Sequence, residues 1–519
     1  MSTTTATPAP ADTGRMPRQI PYIIGNEACE RFSFYGMRNI LVPFLTTSLF
    51  LAYAPLAERA GLAKDIFHTF VIGVYFFPLI GGWISDRFFG KYNTIFWLSV
   101  VYVIGHAFLA VFENNKTGFY TGLLLIAIGS GGIKPLVSAF VGDQFDQSNK
   151  AKAKVVYDAF YWTINFGSFF ASLLMPFFLK NYCPSVAFGI PGVLMFIALV
   201  IFWAGRAKYV RTPPAAPDPN SFMRVVLTAL RAPGGGAGLA VALLGVLAAI
   251  ASFVFIGTLG FVSSFCLALV FLIAFGGLGA SMNLERARGR HPDAAIDGVR
   301  AVLRILIVFA LVTPFWSLFD QKASTWVLQG EQMTKPSWFQ SAQMQALNPL
   351  LVMLIIPFNN LVLYPALRRM GFNVTPLRRM GWGIAFSGLA WIVAGMLQLS
   401  IDGGTPTSIV WQVAPYALLT FGEVLVSATG LEFAYSQAPQ RMKGTIMSFW
   451  LLSVTVGNLW VLLTNTALRN DAVSSQIAAM GVSENAFLMF FFAGFALVVA
   501  AVFAAYARHY PMQDHYRAA

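Results

Sequence analysis

Long continuous apolar runs, separated by short polar or basic stretches, fill most of the chain. They fall near 21–53, 66–88, 92–112, 118–141, 155–180, 186–204, 237–257, 259–281, 301–329, 347–367, 381–400, 409–435, 445–468 and 485–507, which is fourteen segments. About 20 apolar residues cross a bilayer as one helix, so each run predicts a transmembrane helix. The longer runs predict tilt or helix ends that pass beyond the lipid. The continuous runs argue against a membrane β-barrel, whose strands alternate apolar and polar positions. The predicted fold class is therefore an all-α polytopic membrane protein with fourteen transmembrane helices.

The loops set the expected orientation. Connections at 54–65, 113–117, 181–185, 258, 330–346, 401–408 and 469–484 are poor in Lys and Arg. The alternate ones carry Arg87 and Lys91; Lys150, Lys152 and Lys154; Arg206, Lys208, Arg211, Arg224 and Arg231; Arg286, Arg288 and Arg290; Arg368, Arg369, Arg378 and Arg379; and Arg441 with Lys443. Basic loops stay inside, so both termini are expected in the cytoplasm, with the protein in the cell (inner or plasma) membrane. Composition agrees: 57% of residues are hydrophobic and 11% charged, against about 25% charged in soluble domains. The net charge of +13 then belongs to the inside loops and gives no reason to expect nucleic acid. Cys29, Cys183 and Cys266 are too few and too far apart for a disulfide framework or a metal site.

The spans divide into domains. Residues 1–20 are rich in Thr, Ala and Pro and read as a disordered tail. A six-helix bundle over 21–205 is followed by a Pro-rich cytoplasmic linker, 206–236, with Pro213, Pro214, Pro217 and Pro219. A charge-free helical hairpin, 237–281, and a second linker, 282–300, precede a C-terminal six-helix bundle, 301–508, and a tail, 509–519. Two six-helix halves are the architecture of the major facilitator transporters. The hairpin is an insertion between them, expected to be structural and to face lipid.

Ionisable residues inside a membrane are costly and need a partner or a water-filled cavity. The first span holds Glu27, Glu30, Arg31, Tyr35 and Arg38, at offsets 3, 4, 8 and 11 from Glu27, which is one helical stripe. Lys134 lies mid-span in Gly129-Ser130-Gly131-Gly132-Ile133-Lys134-Pro135. No Ser or Thr follows the lysine, so this is not a phosphate-binding loop; its glycines permit close helix approach. Lys134 needs an acidic partner, and Asp320 is a candidate, with Trp316 one turn earlier. Glu423 and Glu432 share the tenth span of the two bundles. Asn165 and Asn348 could each bind a polar ligand or join two helices. His68 and Tyr75 share a face of the second span, where each could equally be packing. Asp86 and Arg87, at its cytoplasmic end, read as gate residues rather than substrate contacts.

Glu27-Ala28-Cys29-Glu30-Arg31-Phe32-Ser33-Phe34-Tyr35-Gly36 resembles the E-x-x-E-R-F-x-x-Y-G signature of the proton-coupled oligopeptide transporter (POT/PTR) family, of bacterial type. Gly132-Ile133-Lys134-Pro135, Phe160 through Ser168, Phe315 through Gln321, and Gly430 through Pro439 also match, in family order. The resemblance implies a proton-driven importer of di- and tripeptides, not an enzyme. It implies that Arg31, Arg38 and Lys134 receive the peptide carboxylate and Glu423 the amino group. Tyr35, Tyr75, Asn165, Asn348 and Ser436 would bind peptide, and Trp316 and Trp450 would line side-chain pockets. Glu27, Glu30, Arg31, Lys134 and Asp320 would couple protons, with Lys134 paired to Asp320. His68 matches a histidine important in animal members. Phe34 stands where many members have a second Tyr, and Asp320 where some bacterial members have Glu.

No cofactor and no metal are expected, protons being the coupling ion. The expected partners are small peptides, protons and the bilayer, with the chain a monomer. The rival reading is the same fold carrying nitrate, an amino-acid conjugate or a drug. Nitrate has no amine to engage Glu423, which argues against it.

Overall fold

Every apolar run forms helix. A computed structural model describes residues 16–146, 149, 152–214, 216–437 and 442–511. The tails 1–15 and 512–519, Lys150, Arg441, Ala438 and Pro439, together with the side chains of Lys154 and Tyr435, lie outside the described residues. Among the described residues the helices run α1 (Ile20–Thr47), α2 (Leu56–Ile84), α3 (Gly90–Val111), α4 (Lys116–Ile133), α5 (Leu136–Gly142), α6 (Ala153–Asn181) and α7 (Pro184–Ala204). They continue as α8 (Phe222–Leu230), α9 (Gly236–Ser252), α10 (Ile256–Asn283), α11 (Asp293–Gln321), α12 (Thr325–Glu331), α13 (Leu347–Phe358) and α14 (Tyr364–Arg369). The last five are α15 (Pro376–Asp402), α16 (Val413–Gln437), α17 (Lys443–Leu468), α18 (Asp471–Ala479) and α19 (Glu484–His509). Among the described residues, eleven stretches are long and apolar enough to cross a membrane. Two of them, Leu56–Val111 and Gly236–Ala287, are 56 and 52 residues long and hold two membrane-crossing helices each. With α1, 28 residues long and carrying four charged residues, the fourteen predicted spans are present.

The structure corrects several boundaries. The run 118–141 is two helices, because α4 stops at Ile133 and α5 starts at Leu136. Pro135 has no N–H to donate and its ring crowds the carbonyl one turn back, so the break falls on Lys134. The run 347–367 is interrupted by a π-turn at Asn359–Leu363 just before Pro365, for the same reason. The linker 206–236 contains α8, whose Val225, Val226 and Ala229 are buried; three apolar positions at helical spacing suffice once a surface is there to cover them. Much of the linker 282–300 is also helical, since α11 begins at Asp293. Arg288 holds that start, 2.5 Å from Glu285 and 2.6 Å from Asp293.

By packing, the chain forms two compact units. One comprises residues through Phe44 with Phe77–Ala216; the other comprises Leu45–Phe76 and the chain from Pro217 onward. In the first, Phe44, Phe119 and Phe188 meet with ring centroids 4.8–5.4 Å apart. The α2–α4 crossing is close enough that a Cβ at Gly131 would lie 2.7 Å from the Phe77 carbonyl oxygen, so the glycines before Lys134 serve helix approach. In the second unit Trp326 is 5.6 Å from Trp391 and 5.1 Å from Tyr416. The first half of α2 belongs to this unit: Ile72 packs with Cys266, Leu459 and Leu462, and Asp65 accepts from Asn465 (3.0 Å) and pairs with Arg469. Only 17% of the hairpin's most apolar window is buried inside the protein, as a pair of helices facing lipid requires.

Candidate functional site

In the first unit the α1 stripe is buried: Glu27, Glu30 and Arg31 are 2%, 1% and 7% exposed. Arg31 Nε lies 2.8 Å from Glu27 Oε1 and 2.5 Å from Glu30 Oε2. One guanidinium is thus shared by two carboxylates, and the trio carries a net negative charge when both are ionised. Arg38 is buried two turns further on. Lys134, at the α4 break, places its ammonium 4.5 Å from the Phe34 ring centroid, and the Arg31 guanidinium is 6.0 Å from the same ring. The phenylalanine that departs from the family pattern therefore offers both cations a π-face in place of a hydroxyl. Behind the stripe, the Ser33 hydroxyl donates to the Pro191 carbonyl (2.6 Å). His106 Nε2, 3.0 Å away, must then be the donor to Ser33 Oγ. Asn165 donates to the Tyr161 carbonyl of its own helix at 3.0 Å.

Asp86 and Arg87 lie on the π-turn Ser85–Phe89 and are exposed; neither forms an ion pair among the described residues. The ion pair on this rim joins Lys91 to Asp143, with N–O distances of 2.8 and 2.7 Å. Thr212 also donates to Asp143, at 3.1 Å. A π-turn inserts an extra residue and swings the side chains that follow.

In the second unit three clusters form. His68, fully buried, has Nδ1 2.6 Å from Asn458 Oδ1 and Nε2 2.9 Å from Ser324 Oγ. Asn458 donates through Nδ2 to Asp320 Oδ2 at 2.8 Å. Because the Asn458 amide nitrogen faces the carboxylate, its oxygen faces His68, and Nδ1 carries the proton; this tautomer is assigned from the network. Second, Asn348 accepts from Lys322 Nζ (3.0 Å) and donates to Glu423 (2.5 Å) and Thr420 (3.1 Å). Third, Trp316 and Trp450 meet edge to face, centroids 5.7 Å apart, and the Trp316 indole donates to Ser453 at 3.1 Å. Ser436 donates to the Phe433 carbonyl, and Tyr75 packs on the core of this unit.

Lys322 and Asn458 are absent from the sequence reading. Lys322 had a signal: a second ionisable residue two positions after Asp320 in an apolar setting. Asn458 had none, since its place depends on His68 and Asp320, both far away in sequence. Among the described residues, no group of three or more His, Cys, Asp or Glu is disposed to hold a metal ion.

Six spans, an inserted hairpin and six spans, with buried ion clusters on membrane helices, define a secondary transporter of the major facilitator fold. A sequence profile of the POT family (PTR2) matches residues 92–480, and the chain belongs to that family. It is 32% identical over 482 residues to Peptide transporter 3 of Caenorhabditis elegans, covering 89% of this chain and 61% of that protein. It is 31% identical over 423 residues to human Solute carrier family 15 member 1, covering 75% and 53%. The chain thus spans little more than half the length of these curated relatives. Two solved structures are similar at a TM-score of 0.94 each: an auto-inhibited POT family peptide transporter, 65% identical over 97% of this chain and 99% of that one, and the POT family transporter PepTSo, 66% identical over 97% and 100%.

Proposed function

We propose that this multi-pass membrane protein imports di- and tripeptides together with protons by alternating access. The observation that carries the reading is the Glu27–Glu30–Arg31 trio, a buried guanidinium held by two carboxylates on a membrane-spanning helix. Such a trio is costly in a membrane unless something arrives to exchange with it. A dipeptide is a zwitterion whose two charged ends do not vary with its side chains. Arg31, Arg38 and Lys134 receive its carboxylate and Glu423 its ammonium. Tyr35, Tyr75, Asn165, Asn348 and Ser436 contact its backbone, and Trp316 and Trp450 its side chains. A proton on Glu27 or Glu30 releases Arg31 to the substrate, and Lys134 and Asp320 take part in the step that then opens the path inward. The Lys91–Asp143 pair closes the inner rim, beside Asp86 and Arg87. Both termini are cytoplasmic, protons are the coupling ion without any cofactor, and the chain acts as a monomer.

The test is uptake of labelled dialanine into vesicles holding the purified protein. An inward proton gradient should concentrate the peptide inside, and competition should come from di- and tripeptides but not from nitrate. Equal uptake with and without the gradient would overturn the reading.

His68 belongs to the coupling machinery on this view, since protonation adds charge two hydrogen bonds from Asp320. In the neutral ring Nε2 accepts from Ser324; protonated, it donates. His68→Gln keeps both hydrogen bonds but cannot gain a proton. Gradient-driven uptake should then respond less steeply to outside pH while peptide exchange persists. An unchanged pH profile in that variant would assign His68 to packing alone.

A further inference from the structure

The inserted hairpin does more than face lipid. Between α10, α11 and α17 lies a cavity of about 650 Å³ that is apolar along most of its wall, with Ile273, Leu306, Ala310 and Val456 among its lining. The polar side chains at its far end are already satisfied: the Trp460 indole donates to Thr313 at 3.1 Å, and the Ser453 hydroxyl donates to the Trp450 carbonyl at 2.6 Å. Nothing there asks for water or a polar ligand, and an apolar cavity of this kind takes hydrocarbon. Its outer edge is formed by Leu278 and Ile307, 56% and 47% exposed on membrane-spanning helices, so it opens sideways toward the bilayer.

The opposite end is basic. Arg300 and Arg304 line it, one turn apart on α11. Arg300 is held by Asp297 at 3.0 Å and by Glu285. No carboxylate among the described residues pairs with Arg304, so the net positive charge of this end rests there. From Arg304 to Thr313 the helix rises about 14 Å at 1.5 Å per residue. That is close to half of the roughly 30 Å hydrocarbon thickness, the depth of one leaflet. An apolar slot one leaflet deep, closed at its surface end by an unneutralised guanidinium, matches a lipid with an anionic headgroup. A guanidinium binds phosphate oxygens in pairs.

We infer that the slot between the hairpin and α11/α17 holds one anionic phospholipid, its phosphate on Arg304 and an acyl chain running toward Trp460. Ser453 lines the slot and also accepts the Trp316 indole hydrogen, so the lipid sits against the helices that position the Trp316–Trp450 pair.

Trp460 reports on the slot. The full chain is reconstituted with brominated-chain phosphatidylglycerol or phosphatidylcholine, and the quenching lost in Trp460→Phe isolates its contribution. That component should be half-quenched at about fivefold lower mole fraction of phosphatidylglycerol than of phosphatidylcholine, the preference one arginine near anionic headgroups supports. Arg304→Gln, at the rim, should bring the two curves together, and Ala274→Phe, filling the slot, should reduce quenching by both lipids. Coincident curves in the unaltered protein, or a preference that survives Arg304→Gln, would overturn the inference and leave the slot to annular lipid.

Discussion

Replacing Glu30 by Gln leaves peptide counterflow intact and abolishes concentrative, proton-driven uptake. Glu30 is 1% exposed and lies 2.5 Å from Arg31 Nε. Gln keeps the shape and one acceptor for the guanidinium, so helix packing and the exchange of labelled for unlabelled peptide continue. What it cannot do is bind and release a proton. With Glu30 ionised, Arg31 is divided between two carboxylates; on the proposed function, an arriving proton removes one anion and frees the guanidinium for a substrate carboxylate. In the variant that change is permanent, and carrier movement no longer needs protons. The size of the effect follows from the gradient. One pH unit is worth about 1.4 kcal/mol, or tenfold, so at one proton per peptide an inward gradient of about two units sustains roughly 100-fold accumulation. In Glu30→Gln vesicles the ratio should fall to about one. Normal accumulation in this variant assigns the coupling proton elsewhere, with Glu27, 2.8 Å from the same nitrogen, as the next residue to replace.

That trio was legible from sequence because helical periodicity is local. Residues at offsets 3, 4, 8 and 11 share a face whatever surrounds the helix, and burial of that face followed from the cost of charge in lipid. The spans and the inserted hairpin were legible for a similar reason, since length and apolarity decide them. The features that escaped are tertiary. Asn348 joins Lys322 to Glu423 across 26 and 75 residues of chain, and no periodicity encodes such a junction. Lys91 finds Asp143 from 52 residues away, a pairing between helices that no local pattern marks. The α8 helix hid in a Pro-rich linker because its three buried residues become an apolar face only against α10 and α11. His68 read as an isolated histidine, and gained a partner only when α17 brought Asn458 beside it.

Replacing Glu423 by Gln should separate peptides by their amino end. The Glu423 carboxylate is half-buried, and Asn348, itself bonded to Lys322, donates to it at 2.5 Å. Gln can still accept that hydrogen bond, so the Lys322–Asn348 junction survives and the substitution removes charge rather than structure. A hydrogen bond to a charged group contributes about 1.5–3 kcal/mol. Dialanine should therefore compete roughly 10- to 150-fold less well for the transport signal. N-acetyl-dialanine has no ammonium to lose; it should bind the unaltered protein weakly and the variant no worse. The two peptides and two proteins form a thermodynamic cycle whose coupling energy isolates the ammonium–Glu423 contact from any general damage to the site. An equal loss for both peptides would make Glu423 a support for Asn348, and equal retention would place the ammonium on another carboxylate. A large coupling energy requires that the charge on Glu423 and the charge on the peptide meet directly. It would also predict broad specificity, because the contacts that hold the substrate are then those every dipeptide shares.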